Sequence, residues 1–263
     1  MITLYENAFS PFARKVRMAL EHKGLQFEAI DGLRTDNQAA LAKVNPRREV
    51  PVLVDGDITI INSSHIVQYL DEAYPQQPLL PTAVAARVRA RHWERISDTL
   101  LDGILLNVSI WMWAERTDKR PPAMEERARA DLASIYAALE KELAEAGHFI
   151  VGALSIADLA CFPHLRSVKS LGFPIDKSNY PLLTQWLDRM ESLPIGRDDV
   201  KRLKAFFANI QAQSFERRKI FWRGDRVEWL LASGQHEWLA QEIREGRVLW
   251  PSTRLSPRED DAG

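Results

Sequence analysis

The stretch ITLYENAFSPFARKVRMALEHKG, residues 2–24, decides the first part of the fold. Residues 2–5 alternate along the chain in the manner of a β-strand. Ser10 is a favoured residue for capping the start of a helix, and Pro11 suits the first helical position. Apolar residues then recur at helical spacing as far as Gly24, a residue type that ends helices. The stretch therefore predicts a strand, a short turn and a helix.

The segments that follow extend this unit. A second strand is predicted at 25–30 and a weaker helix at 34–44. Val52–Val54 and Ile58–Ile61 are predicted to pair as a hairpin, because Asp55-Gly56 between them is a strong turn signal. A further helix starts at Asn62 or Ser63. The order βαβ, then α, then ββα is that of a thioredoxin-like α/β domain.

A proline-rich segment separates this unit from the rest of the chain. Residues 74–82 contain Pro75, Pro78 and Pro81, which is typical of an interdomain linker. Helical periodicity alone follows, with candidate helices at 84–116, 122–146, 155–170, 181–192 and 197–215. We predict a thioredoxin-like domain at 1–75, an all-α helical bundle at 84–214 and a C-terminal extension at 215–263.

The extension carries three tryptophans within a charged sequence. Trp222, Trp229 and Trp238 predict one or two amphipathic helices packed on the folded body. From Ser252 onward the chain is polar, and we predict a disordered tail.

Composition excludes several classes of protein. Lys plus Arg (35) nearly balance Asp plus Glu (36), which disfavours a nucleic-acid partner. No run approaches the roughly 18 apolar residues of a membrane span. The only cysteine, Cys161, lies in an apolar helix and cannot form an internal disulfide, so a cytoplasmic location is expected. His65 and His92 are isolated, and no metal site is predicted.

Four segments in order resemble the soluble glutathione transferase superfamily over roughly residues 1–210. They are LYENAFSPFARKVRMAL (4–20), NPRREVPVLVDGD (45–57), INSSHIVQYLDE (61–72) and SIADLACFPHL (155–165). The resemblance is to members that use a serine. No cysteine lies at or beside position 10, which argues against the branch that attacks with a protein thiol.

The resemblance implies a glutathione site. Ser10 falls where the catalytic serine contacts the glutathione sulfur. Val50, followed by a cis-Pro51, would pair its backbone with glutathione. Asn62 and Ser63 would hold the γ-glutamyl end.

The resemblance also implies an electrophile pocket, lined by Phe9, Phe12, Asn107 and Trp111. A tryptophan in this helix could instead belong to the core. Tyr5 is the alternative to Ser10, since some branches use tyrosine, but it lies inside the first strand.

Three residues depart from the family pattern. Asn62 stands where an acidic residue is common, Arg48 where glycine is frequent, and Glu49 where lysine is frequent. A neutral partner binds an ammonium less strongly than a charged one, so these departures predict weaker binding of glutathione.

Two functions follow from the resemblance. The first is an enzyme of the detoxification type that activates the thiol of glutathione, its co-substrate, for attack on a small hydrophobic electrophile. Conjugation, dehalogenation and ether cleavage are the candidate reactions, and a homodimer is expected. The second is a non-catalytic scaffold that uses the extension as a protein–protein interface.

Overall fold

The computed structural model describes residues 1–114, 116–210, 218–220 and 223–250, with the backbone alone at 219 and 220. Contacts within the chain divide these residues into two units. The first unit contains residues 1–80 and 191–210, and the second contains residues 81–190 and 218–250.

The first unit is built on a four-stranded mixed sheet. Its strands are β1 (Ile2–Glu6), β2 (Phe27–Asp31), β3 (Val52–Asp55) and β4 (Ile58–Ile61), in the order β2-β1-β3-β4. β1 is parallel to β2 and antiparallel to β3, and β3 is antiparallel to β4. Helices α1 (Pro11–His22), α2 (Gln38–Val44) and α3 (Ser63–Ala73) follow in the predicted places, with a 3₁₀ turn at Thr35–Asn37 before α2. The predicted thioredoxin-like order is confirmed.

Helices dominate the remaining part of the chain that is described. In sequence they are α4 (Val84–Ile96), α5 (Asp102–Trp113), α6 (Pro122–Ala146), α7 (Ile156–Leu165), α8 (Pro181–Ser192), α9 (Pro194–Ala208), α10 (Gly224–Ala232) and α11 (His236–Arg244). The two-residue strands β5 (Lys219–Ile220) and β6 (Val248–Leu249) pair in parallel. None of the described helices is both long and apolar enough to cross a membrane.

Two features of the helices differ from the sequence prediction. The single helix predicted at 84–116 is divided by a π-helical turn at Ser97–Leu101, which joins α4 to α5. The helix predicted at 197–215 begins earlier and ends at Ala208. This helix, α9, belongs to the first unit rather than to the helical bundle, because its contacts are made with α1.

The capping box predicted in the helical region is present at the start of α7. The Ser155 side chain accepts a hydrogen bond from the Ala157 N–H, and the Asp158 carboxylate accepts one from the Ser155 N–H at 2.9 Å. Asp158 also accepts from the indole N–H of Trp186 at 2.8 Å. The motif therefore fixes α7 against α8 and has a structural role.

The extension is helical where it is described. α10 and α11 both belong to the second unit. The Trp229 indole N–H donates to Asp131 Oδ2 on α6 at 2.9 Å, and the Trp238 ring lies 5.7 Å from the Trp111 ring of α5. Trp222 and the predicted disordered tail beyond Ser252 lie outside the described residues.

Candidate functional site in the first unit

Ser10 lies at the end of a tight turn that connects β1 to α1. The Ser10 N–H donates to the Asn7 carbonyl at 3.0 Å, and the Phe9 N–H donates to Asn7 Oδ1 at 2.9 Å. The Asn7 amide in turn donates to Asp31 Oδ1 at the end of β2, at 2.9 Å. The turn is thus held from below by two side chains of the sheet.

The Ser10 hydroxyl has a defined position. Ser10 is the N-cap of α1, as predicted, and its Oγ accepts a hydrogen bond from the Ala13 N–H at 3.3 Å. A hydroxyl that accepts in this way keeps its own proton for donation to another group. The first turn of α1 contains no acidic residue, so no carboxylate there opposes the positive end of the helix dipole.

Arg14 follows Ser10 by one helical turn, but its charge is compensated. Its guanidinium donates to both carboxylate oxygens of Asp199 on α9, at 2.9 and 2.7 Å. Both side chains are buried. Arg14 therefore holds α9 in place.

Tyr5, the alternative to Ser10, is placed within the sheet. It pairs with Ile30 and Val52, and its half-buried ring packs against a cluster that includes Ala13 and Val50. This position in the middle of β1 supports Ser10 over Tyr5.

The Val50-Pro51 peptide bond is cis, as predicted. β3 begins at Val52, so the backbone of Val50 lies outside the strand pairing of the sheet. Asn45 shapes the preceding loop, because its side chain donates to the Glu49 carbonyl at 3.1 Å and accepts from the Arg47 N–H at 3.1 Å.

The two departures in this loop are resolved differently by the structure. Glu49 accepts from the Arg47 guanidinium at 2.8 Å, so its negative charge is compensated within the loop. Arg48 has φ of 54°, a left-handed backbone that favours glycine, which accounts for the glycine common in the family at this position.

Asn62 and Ser63 form the start of α3. Asn62 is the N-cap, and its Oδ1 accepts from the Ser64 N–H at 3.0 Å. Its φ of 76° and ψ of 122° lie outside the left-handed helical region, a backbone conformation that costs of order 1–3 kcal/mol in a non-glycine residue. Strain of this kind clusters at ligand sites, which supports a binding role for this turn. Ser63 is buried directly behind it.

Phe9 and Phe12 flank Ser10. Phe9 is half-buried and stacks on Phe206 of α9, whereas Phe12 is buried with Lys15 Nζ 5.9 Å from its ring centre. Phe9 is therefore the more accessible of the two aromatic residues predicted for the pocket.

Asn107 and Trp111, the other two predicted pocket residues, contact the extension. Asn107 is fully buried, and its amide donates to the carbonyls of Gly103 and Arg226 at 2.6 and 2.8 Å. The interpretation of Asn107 as a pocket residue is corrected accordingly: its amide fastens α10 to α5. Trp111 packs beside Trp238, with the Arg116 guanidinium 5.0 Å from its ring centre.

Sequence reasoning missed a buried charge cluster in the second unit. The Arg226 guanidinium of α10 donates to both oxygens of Asp102 on α5, at 2.7 and 3.1 Å. Burial alone would raise the pKa of Asp102, but the charge of Arg226 and hydrogen bonds from His164 and Arg226 hold that pKa well below its usual range. Within the described residues, no group of three potential ligands is arranged for a metal ion.

Comparison with known proteins shows the family. Residues 4–78 match the model of the glutathione S-transferase N-terminal domain, and residues 107–194 match that of the C-terminal domain. The chain is 33% identical to glutathione S-transferase 1 of Dianthus caryophyllus over 68% of this chain and 82% of that protein. It is 32% identical to a probable maleylacetoacetate isomerase of Vibrio cholerae, over 73% of this chain and 92% of that one.

A solved structure adds a ligand to the comparison. It is a glutathione S-transferase from Methylobacterium radiotolerans in complex with glutathione sulfonate. That chain is 26% identical, with a TM-score of 0.63, over 76% of this chain and 94% of that one.

These matches, the mixed sheet and the cis-proline loop together define a class of enzyme. The chain belongs to the glutathione S-transferase family. It is a glutathione transferase-like enzyme with glutathione as its co-substrate.

Proposed function

We propose that the protein ionises the thiol of glutathione through Ser10 and directs the sulfur to a small hydrophobic electrophile. The observation that carries this proposal is the Ser10 hydroxyl at the N-cap of α1, fixed by the Ala13 N–H and able to donate its own proton. The sulfur attacks an electrophilic carbon, a C–S bond forms, and the leaving group departs with the bonding electrons.

The energy required is within the reach of this arrangement. A free thiol has a pKa of about 8.5, and lowering it to about 6.5 requires roughly 2.7 kcal/mol in favour of the thiolate. A hydrogen bond to a charged group contributes about 1.5–3 kcal/mol, and a helix N-terminus about 0.3–2 kcal/mol. Together they suffice without a general base, and water accepts the thiol proton.

Recognition of the rest of glutathione falls to two loops of the first unit. The backbone of Val50, presented by the cis bond to Pro51, pairs with the peptide. Ser63 and the N-terminus of α3 bind the γ-glutamyl carboxylate, because helix starts offer unpaired N–H groups. Asn62 Oδ1 keeps one lone pair for the γ-glutamyl ammonium, since its other lone pair accepts from Ser64.

A panel of electrophiles tests the proposal. It contains a nitroaryl halide, an alkyl halide and an aryl ether, together with maleylacetoacetate because one relative bears that name. Phe9 and Trp111 offer apolar surface, so we expect turnover with apolar substrates. Retention on immobilised glutathione without turnover of any substrate would favour the scaffold alternative, and failure to be retained would exclude both forms of glutathione use.

Ser63→Ala is expected to raise the Kd for glutathione about tenfold, because one hydrogen bond to a carboxylate is lost at about 1.4 kcal/mol per tenfold. Isothermal titration gives the Kd. Ser64→Ala, a change of the same size one residue later in α3, is the matched control and should leave the Kd within about twofold. Equal effects of the two variants would contradict the assignment of Ser63.

We also propose a homodimer that acts in the cytoplasm in detoxification. Support for the dimer comes from apolar residues exposed at an edge strand and on α4. Ile58 and Ile61 lie on β4 at the edge of the sheet, and Val84 and Val88 of α4 are 74% and 64% exposed. Exposed apolar patches of this kind mark association surfaces.

Val88→Glu is expected to convert the dimer into a monomer at micromolar concentration, because it places a charge in an apolar interface. Light scattering measures the mass. Leu231→Glu, at an exposed leucine of α10 that is 53% accessible, is the control and should leave the mass unchanged. A monomeric wild-type protein would contradict the proposal.

A further inference from the structure

Helix α9 contacts the turn that carries Ser10. The Phe206 ring stacks on the Phe9 ring, with centres 6.1 Å apart and planes inclined by 12°. Phe207 meets the same ring edge-on at 5.7 Å. Phe9 immediately precedes Ser10, so these contacts act on the residue next to the hydroxyl.

α9 is itself anchored to α1, so it offers these rings from a fixed position. Asp199 binds both nitrogens of the Arg14 guanidinium that face it, a paired geometry that restricts rotation. Arg202 adds an ion pair with Glu21 at 2.9 Å, nearer the end of α1. The helix therefore cannot shift along α1 without breaking buried charge contacts.

The turn has support on two sides. Asn7 and Asp31 hold it from the sheet, and the two rings of α9 hold it through Phe9. Four residues between a strand and a helix leave little other restraint on the direction of the Ser10 Oγ. Catalytic groups lose effect steeply when displaced by about 1 Å, so such support has functional weight.

We propose that Phe206 is a positioning residue, with Phe207 as its partner: their contacts with Phe9 hold the Ser10 hydroxyl where it stabilises the glutathione thiolate. The inference rests on the proposed function of Ser10. Neither ring touches the reacting atoms; both act through the Phe9–Ser10 backbone.

A double-mutant cycle tests this proposal. Phe206→Leu keeps an apolar side chain but removes the ring, and should lower kcat about tenfold and raise the pKa of the bound thiol, with the Kd for glutathione within about twofold. In a Ser10→Ala background the same change should have no further effect on kcat, because the hydroxyl through which it acts is gone. Phe207→Leu, at a half-buried position, should give a smaller effect in the same direction.

Controls separate positioning from loss of stability. Phe173→Leu removes a buried ring from the second unit and should leave the thiol pKa unchanged. Phe206→Tyr keeps the ring and should restore most of the activity. The inference is overturned if Phe206→Leu and Phe207→Leu retain wild-type kcat and thiol pKa, or if Phe206→Leu lowers kcat by the same factor in both backgrounds. If Ser10→Ala alone is fully active, the proposed role of Ser10 has failed instead.

Discussion

Ser10→Ala should lower kcat by about 10- to 100-fold while leaving the Kd for glutathione nearly unchanged. Each tenfold corresponds to about 1.4 kcal/mol, so this range matches the loss of one hydrogen bond to the thiolate. Binding is retained because it depends on Val50 and Ser63. Thiolate absorbance, followed against pH, should show that the pKa of the bound thiol rises in the variant. Activity at neutral pH then falls more than activity at high pH, where the thiol ionises without assistance.

Two further variants protect the interpretation of Ser10→Ala. Ser10 also caps α1, and losing a cap costs about 1 kcal/mol of stability. Ser10→Gly removes the hydroxyl but leaves a residue that caps helices nearly as well, so it should reproduce the catalytic loss with less destabilisation. If Ser10→Ala keeps full activity and an unshifted thiol pKa, the role lies elsewhere, and Tyr5→Phe is the variant to test next.

Arg226→Met is expected to destabilise the docking of the extension by about 3–5 kcal/mol. The change leaves the Asp102 carboxylate buried without its cation, and breaking one side of a buried ion pair typically costs this much. The equilibrium for opening α10 should therefore shift by roughly a hundred- to several-thousand-fold. Hydrogen exchange at the amides of α10 measures that opening directly.

The second unit supplies controls for Arg226. Arg244→Met removes an exposed arginine of α11 and should change the opening free energy by no more than about 0.5 kcal/mol. Combining Arg226→Met with Asp102→Leu replaces the pair by apolar groups and should recover much of the loss. Unchanged exchange in Arg226→Met would show that the ion pair contributes nothing to docking.

Local sequence patterns were sufficient for the elements that depend on neighbouring residues. The cap at Ser10, the hairpin at Asp55-Gly56 and the capping box at Ser155 are all short-range chemistry, and each is present. The bounds predicted for α6 and α8 match for the same reason. The cis bond at Pro51 came from the family resemblance, because a proline alone does not specify its isomer.

Contacts between distant parts of the chain could not be predicted in this way. Arg226 lies in a strongly charged segment and gave no sign of being buried, since its partner is 124 residues away. The available signal was Asp102 itself, a carboxylate beside the apolar run of α5, which needed a cation to be buried. The placement of α9 in the first unit depends in the same way on Asp199, a partner of Arg14 that periodicity alone does not reveal.

The π-helical turn at Ser97–Leu101 makes the helix pair α4–α5 sensitive to chain length rather than to side-chain identity. Such a turn holds about one residue more than an α-helical turn, and one residue corresponds to a rotation of about 100°. Deleting a single residue here would let α4 and α5 fuse into one straight helix. Asp102, Gly103 and Asn107 would then swing together to a different side, away from α10, although each side chain was still present. The reading frame of this helix face is thus stored in one surplus residue.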